Sequence, residues 1–321
     1  MTSLLDQLRG MTTVVADTGD IDAIRRFKPV DCTTNPTLVL KAVGLPAYEG
    51  LLSDALAWGS TQSDDPDRVV SAVADRLAVA IGAELARIVP GRVSTEVDAD
   101  LSFDTAASVE KARTIVAAYD AAGIGREKIL IKIAGTYEGI RASQILQAEG
   151  IDTNMTLIFD IVQAVACAEA KSFLISPFVG RILDWHVKAE GRSFEAEEDP
   201  GVVSVRGIYD YYKAYGIDTV VMAASFRSTG EVLALAGCDR MTVSPALLEK
   251  LDGEEGTLVR RLDPASPRGV PDRIAIDEPS FRWAMNENAM ATEKLAEGIR
   301  QFAKDLGELR RLLKARLRLA A

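Results

Sequence analysis

The sequence predicts an α/β chain folded as a (β/α)8 TIM barrel, with additional helices that include a long C-terminal one. Three observations predict it. Eight short runs rich in Val, Ile and Thr recur along the 321 residues. Amphipathic segments at helical spacing lie between those runs, and strand–helix alternation implies a parallel sheet. No linker divides the chain, and its length is ordinary for one such barrel. Eight units are the number that closes the barrel. We expect a single barrel domain over residues 1–321.

The strands follow in order. "TTVVAD" (12–17), "DCTTNP" (31–36), "GRVSTEVD" (91–98) and "ILIKIA" (129–134) are the first four. "NMTLIF" (154–159), "SFLISPF" (172–178), "TVVMAASF" (219–226) and "RMTVSP" (240–245) complete the set. Between them, "DTAASVEKARTIVAAYDAAG" (104–123), "EGIRASQILQAEG" (138–150) and "IVQAVACAEA" (161–170) repeat apolar residues at helical spacing. Residues 37–90 have room for more than one helix, and "QSDDPDRVV" breaks them with Pro66 near a helix start. Residues 189–202 and 263–273 read as loops. From Asn286 to the end runs one amphipathic helix pattern, basic at its C-terminus.

An open doubly wound sheet is the competing class. It usually carries a glycine fingerprint after its first strand, and "TTVVADTGDID" has none. "GIGREK" (123–128) precedes a strand and reads as a helix C-terminal turn.

Hydrophobic residues are 48% and charged residues 26%, a balance that excludes disorder. The net charge of −10 argues against a nucleic-acid partner but leaves room for a local basic pocket. Cys32, Cys167 and Cys238 are widely spaced, so neither a zinc site nor a disulfide framework is expected. A reducing, cytoplasmic setting fits. No basic segment with a following apolar core opens the sequence, and no run is long enough to cross a bilayer. "NMT" at Asn154 matches a glycosylation acceptor by accident in that setting.

In such a barrel, chemistry collects at the C-terminal ends of the strands. Asp17 ends the first strand, and Thr34 and Asn35 end the second. Glu96 and Asp98 lie on the third, Lys132 on the fourth, and Asn154 and Thr156 on the fifth. Ser176 ends the sixth, followed by Phe178 and Arg181; Ser225 and Arg227 follow the seventh. One or two polar residues there would only cap helices. A lysine, carboxylates, asparagines and arginines from different strands form a constellation.

Lys132 is the anomaly. It sits among Ile129, Leu130, Ile131, Ile133 and Ala134. Side chains alternate across a strand. The three isoleucines therefore face the helices, and Leu130, Lys132 and Ala134 face the barrel interior. Poor solvation of an ammonium favours the free amine, a nucleophile toward a ketone. The competing reading is a buried ion pair with Glu96 or Asp17, kept for stability, although such pairs are poor stabilisers. Other lysines are less apt. Lys171 starts a strand, Lys128 precedes one and should be exposed, and Lys41, Lys111 and Lys188 read as solvated.

A Schiff-base lysine needs proton movers. Asp17 and Glu96 qualify, with Thr156 holding a water; a rim salt bridge or a helix cap is the alternative, and Asp17 is the better cap. Arg181 and Arg227 suit an anion. Ser228 and Glu231 have capping-box spacing, so Arg227 lies beside a helix N-terminus where phosphate binds well. A surface ion pair is the alternative for each arginine. His186, the single histidine, lies in a helical pattern away from the rim, which disfavours histidine-based hydrolysis.

These residues resemble the transaldolase family. "DCTTNPTLVLKA", "VPGRVSTEVDADLSFDT", "ILIKIAGTYEGIRA", "FLISPFVGRILDW", "EDPGVVSV", "MAASFRSTGEVLALAGCDR" and "KLAEGIRQFAKD" carry the resemblance over nearly the whole chain. It implies a (β/α)8 barrel with no cofactor or metal. It implies transfer of dihydroxyacetone from sedoheptulose 7-phosphate or fructose 6-phosphate to glyceraldehyde 3-phosphate or erythrose 4-phosphate, in the pentose phosphate pathway. By resemblance, Lys132 forms the Schiff base and Asp17 acts on the hydroxyl of the bond that breaks. Glu96 and Thr156 hold a water that relays protons. Asn35, Asn154 and Ser176 orient the dihydroxyacetone unit. Arg181, Ser225 and Arg227 bind phosphate, and Phe178 lines the pocket. A homodimer is implied, with the C-terminal helix packed over the barrel. Thr37, Gly135 and Tyr137 stand where serine, serine and tryptophan are more frequent, and none removes a group the chemistry needs. Two other functions compete: a Schiff-base fructose 6-phosphate aldolase releasing free dihydroxyacetone, and a non-catalytic sugar-phosphate binding barrel.

Overall fold

A computed structural model describes residues 2–320. Met1 and Ala321, which the expected domain and the expected C-terminal helix include between them, lie outside the described residues. All eight expected strands form: β1 (Thr13–Asp17), β2 (Asp31–Thr33), β3 (Val93–Glu96), β4 (Ile129–Ala134), β5 (Thr153–Ile158), β6 (Leu174–Pro177), β7 (Val220–Ala223) and β8 (Arg240–Val243). They pair in parallel in sequence order, and β8 returns to β1 to close the barrel.

Alternation sorts the core. Ile129, Ile131 and Ile133 pack outward in the large apolar layer shared with the helices. Leu130 packs inward with Val15, Leu174 and Met222 in a separate cluster. Ala134, the last residue of β4, is buried opposite Thr156 of β5. The N-terminal end of the barrel is plugged by two ion pairs, Arg92–Asp152 and Arg240–Asp31. Their guanidinium groups flank the Phe173 ring at 4.4 and 5.7 Å. The cavity lined by Asp17, Lys132, Thr156 and Ser176 lies at the opposite, C-terminal end.

Several boundaries tighten. β2 stops at Thr33, because Asn35 already caps the helix Pro36–Ala42 by accepting from Leu38 N–H at 2.9 Å. The long segment before β3 holds the helices Glu49–Gly59 and Pro66–Ile88 as well, with Pro66 first and Asp65 as cap. The expected loop over 189–202 is narrower. The helix Val179–Glu190 ends at Gly191 in the left-handed region (φ 68°), and the next helix, Pro200–Ala214, is capped by Asp199. Residues 263–273 carry neither helix nor strand, as expected. The expected C-terminal helix forms over Ala289–Ala320, starting three residues after Asn286, and a separate helix, Glu278–Glu287, precedes it. Asn288 divides them by accepting from Ala291 N–H at 3.1 Å and donating to Asp160.

The last helix lies across the open end of the barrel. Arg310 pairs with Asp98 at 2.9 Å, Lys314 with Asp67 at 2.6 Å, and Thr37 donates to Asp305. At Gly298 the helix comes so close that an added Cβ would stand 2.6 Å from Leu157 and 3.0 Å from the Arg181 guanidinium. Among the described residues no helix is long and apolar enough to cross a membrane.

Candidate active site

Strand register builds the centre. Glu96, Lys132 and Asn154 are direct neighbours on β3, β4 and β5. Lys132 Nζ lies 3.2 Å from Glu96 Oε2, and the two side chains are 6% and 3% exposed. The ammonium also reaches the Thr34 carbonyl at 3.5 Å and stands 5.7 Å from the centre of the Phe302 ring. The buried ion pair named as the competing reading is therefore present, but Lys132 also lines an open cavity.

That cavity, of about 300 Å³, opens at the C-terminal end of the barrel. Nine of the eleven residues expected in the site line it: all but Glu96 and Asn154. Glu96 sits behind Lys132 and borders a smaller cavity of about 40 Å³. Asn154 is fully buried; it donates to Ser94 Oγ at 3.0 Å and accepts from Ser176 at 2.7 Å. Its direct contact is with Ser176, which does line the cavity.

Asp17 accepts from Thr33 Oγ1 at 2.9 Å, and Thr33 shares a hydrogen bond of 2.7 Å with Thr242. It is not the helix cap; Asp20 is, accepting from Asp22 and Ala23 N–H. Burial pushes the Asp17 carboxyl above its ordinary range, against the opposing pull of the Lys132 ammonium. The same two influences act on Glu96, and burial again wins. Thr156 Oγ1 is buried with no hydrogen-bond partner, and Glu96 Oε2 has the ammonium nearby but no aligned donor. A bulge in the β5–β6 pairing follows Met155, where Leu157 takes a positive φ of 57°. Such bulges re-aim side chains at barrel rims.

The two expected arginines follow β6 and β7 and line the cavity. The Arg181 guanidinium stacks on Phe178 at 5.1 Å and on Phe302 at 5.6 Å. Burial, and next the charge of Arg227, lower its pKa. Arg227 makes a two-point pair with Asp184, at 2.7 and 3.3 Å, and also donates to Ser225 Oγ at 3.3 Å. Ser225 holds a left-handed φ of 64°. The expected capping box of Ser228 and Glu231 is formed.

The comparisons with known proteins agree with this geometry. A family model described as transaldolase/fructose-6-phosphate aldolase matches residues 14–313. The chain is 64% identical to a transaldolase of Rhizobium etli (strain CIAT 652), over 100% of both chains. It is 64% identical over 100% of both chains to a transaldolase of Agrobacterium fabrum. Against one from Shewanella amazonensis the identity is 56%, over 99% of this chain and 100% of that one. The chain belongs to the transaldolase/fructose-6-phosphate aldolase family. It is an enzyme of the transaldolase type.

Three features of this transaldolase-type site escape a reading by strands alone. Phe302 reaches the cavity from the C-terminal helix, which the strand order does not announce. Thr33 and Thr242 hold Asp17 from neighbouring strands. Lys41, expected to be merely solvated, is exposed but lines the cavity and acts electrostatically on Asp17. Its signal was available: Thr37 and Lys41 are four residues apart, on one face of the helix that Asn35 caps. Lys111 is also corrected. It is 14% exposed and pairs with Asp75 at 2.6 Å and Asp98 at 3.2 Å. Lys128, expected to be exposed, is half-buried and donates to the Val89 carbonyl at 2.7 Å. Lys188 is exposed as expected, and Lys171, just before β6, is exposed as well. His186 pairs with Glu190 at 3.0 Å, outside the cavity lining.

Proposed function

We propose that the chain transfers a dihydroxyacetone unit between sugar phosphates through a Schiff base on Lys132. The observation that carries this is the Lys132 amine on the cavity lining, 3.2 Å from a buried carboxylate, in a cavity that Arg181 and Arg227 also line. The ammonium must first lose a proton. Glu96 is the nearest base, and burial makes it a better one. The amine attacks the donor ketone and the carbinolamine loses water. Glu96 Oε2 and Thr156 Oγ1, both without a hydrogen-bond partner, offer positions for the water that relays these protons.

The iminium then accepts the electrons of the adjacent carbon–carbon bond. Asp17 takes the hydroxyl proton, the bond breaks, and an aldose phosphate leaves. The enamine remains on Lys132 and adds to a second aldehyde phosphate, with Asp17 returning the proton. Hydrolysis of the new iminium releases the product. Asn35 and Ser176 orient the three-carbon unit, with Asn154 behind Ser176. Arg181, Ser225 and Arg227 hold phosphate, and Phe178 with Phe302 shields the enamine from water. This chemistry draws on no cofactor.

We further infer one barrel domain, a homodimer, and work in the cytoplasm within the pentose phosphate pathway. Assaying fructose 6-phosphate alone and with erythrose 4-phosphate or glyceraldehyde 3-phosphate tests the transfer. Turnover should require the acceptor. Rapid free dihydroxyacetone from donor alone would instead mark an aldolase.

A further inference from the structure

Beside Arg227 lies a second buried acidic pair that the chemistry above does not use. Glu231 and Asp199 are 1% and 2% exposed. Glu231 Oε2 accepts the backbone N–H groups of Arg227, at 2.5 Å, and of Ser228, at 3.2 Å. Its other oxygen, Oε1, is buried and meets no donor. Asp199 stands within hydrogen-bonding reach of that carboxyl, and its own Oδ1 is spent on Gly201 and Val202 N–H. Two ionised carboxylates offer each other only lone pairs. Buried this deeply, they can face each other only with a proton between them.

We propose that Glu231 is a positioning residue for Arg227, holding the phosphate-binding segment through a proton it shares with Asp199. The segment is tightly seated. Ser225 is in the left-handed region, and a Cβ on Gly180 would stand 2.5 Å from the Ser225 carbonyl and 2.6 Å from Arg227 Cγ. The protonated Glu231 bridges the two bodies: it donates to Asp199, which caps the helix Pro200–Ala214, and accepts from the start of Thr229–Ala234. Loss of the shared proton leaves two facing charges in a dry site, and the segment bearing Arg227 loosens. Burial, and the charge of Asp199, push the Glu231 carboxyl upward. The charged groups around the pair are His186 on Val179–Glu190, which acts on Asp199, and Arg227 with its partner Asp184. Arg206 on Pro200–Ala214 is engaged by Glu197 and the Ala234 carbonyl.

The inference rests on Arg227 as a phosphate ligand. The test measures KM and kcat for fructose 6-phosphate across pH in Glu231→Ala, Glu231→Gln, Arg227→Met and the parent enzyme, with folding followed by circular dichroism. Gln reproduces the donor and the acceptor of a protonated Glu. Glu231→Gln should keep the low-pH KM of the parent and lose its rise with pH. Glu231→Ala should raise KM about five- to tenfold, the loss of about one hydrogen bond's worth of positioning, with kcat much less affected. The substrate phosphate is the same for parent and Glu231→Gln, so the difference between their pH profiles is the readout. If Arg227→Met raises KM but the Glu231 variants leave it unchanged, positioning by Glu231 is wrong. If Glu231→Gln behaves like Glu231→Ala, or Glu231→Ala does not fold and Glu231→Gln follows the parent pH profile, the shared proton is wrong. If Arg227→Met leaves KM unchanged, the phosphate assignment falls and this inference with it.

Discussion

Lys132 Nζ and Glu96 Oε2 stand 3.2 Å apart on adjacent strands, in register and almost wholly buried. A stability-only ion pair and an activated nucleophile both place these groups together. They differ in what happens when the carboxylate is neutralised.

Glu96→Gln keeps the shape and removes the proton acceptor. If Glu96 moves protons, turnover should fall about 10²-fold or more, the usual worth of a positioned acid–base group. The fold should persist, as read by circular dichroism and gel filtration. Near-normal turnover would assign the pair to structure alone.

Asp17→Asn should separate activity from stability. Asp17 must be ionised to take the substrate proton, and its carboxyl is held above the ordinary range by burial. The acid limb of kcat/KM should therefore lie above ordinary carboxylate values. A group with a raised folded pKa contributes stability below its unfolded pKa and loses it as pH rises through the folded one. At neutral pH the variant should thus be inactive by about 10²–10⁴-fold and more stable than the parent. Thermal melts at acidic and neutral pH check the sign: the gain should appear only at the higher pH.

Lys41 is an exposed cation on the cavity lining with no ion pair among the described residues. Lys41→Met should raise KM for a phosphorylated donor by up to about fivefold, as suits a solvent-screened charge, and leave kcat nearly unchanged. Steady-state kinetics would show an unchanged KM if Lys41 only faces solvent.

Gly298→Ala should disturb the site from outside it. Its Cβ has 2.6 Å to Leu157, which is packed beneath the last helix and cannot yield cheaply. Overpacking of this kind costs about 1–3 kcal/mol, so the melting temperature should drop. KM for sugar phosphates should rise as well, because the Arg181 guanidinium lies 3.0 Å from the same added carbon.

The barrel was readable because its signals are local. Period-two alternation placed the isoleucines outside and Lys132 inside, and the rim residues then followed from strand ends. Contributions from distant or compact elements were harder to read. Phe302 arrives from the final helix. Asn154 contacts Ser94 and Ser176 rather than the cavity, a matter of inter-strand register. Asp20, three residues beyond Asp17, takes the cap because the chain needs those residues to turn after β1. Lys111 lost its expected solvation to Asp75 and Asp98, residues on other elements.

Borohydride trapping tests the central claim most directly. The enzyme is incubated with fructose 6-phosphate, reduced, digested and mapped by peptide mass. The account predicts a stable sugar adduct on Lys132, absent without donor and absent in Lys132→Met, which should remain folded. No adduct, or an adduct on another lysine, would contradict it.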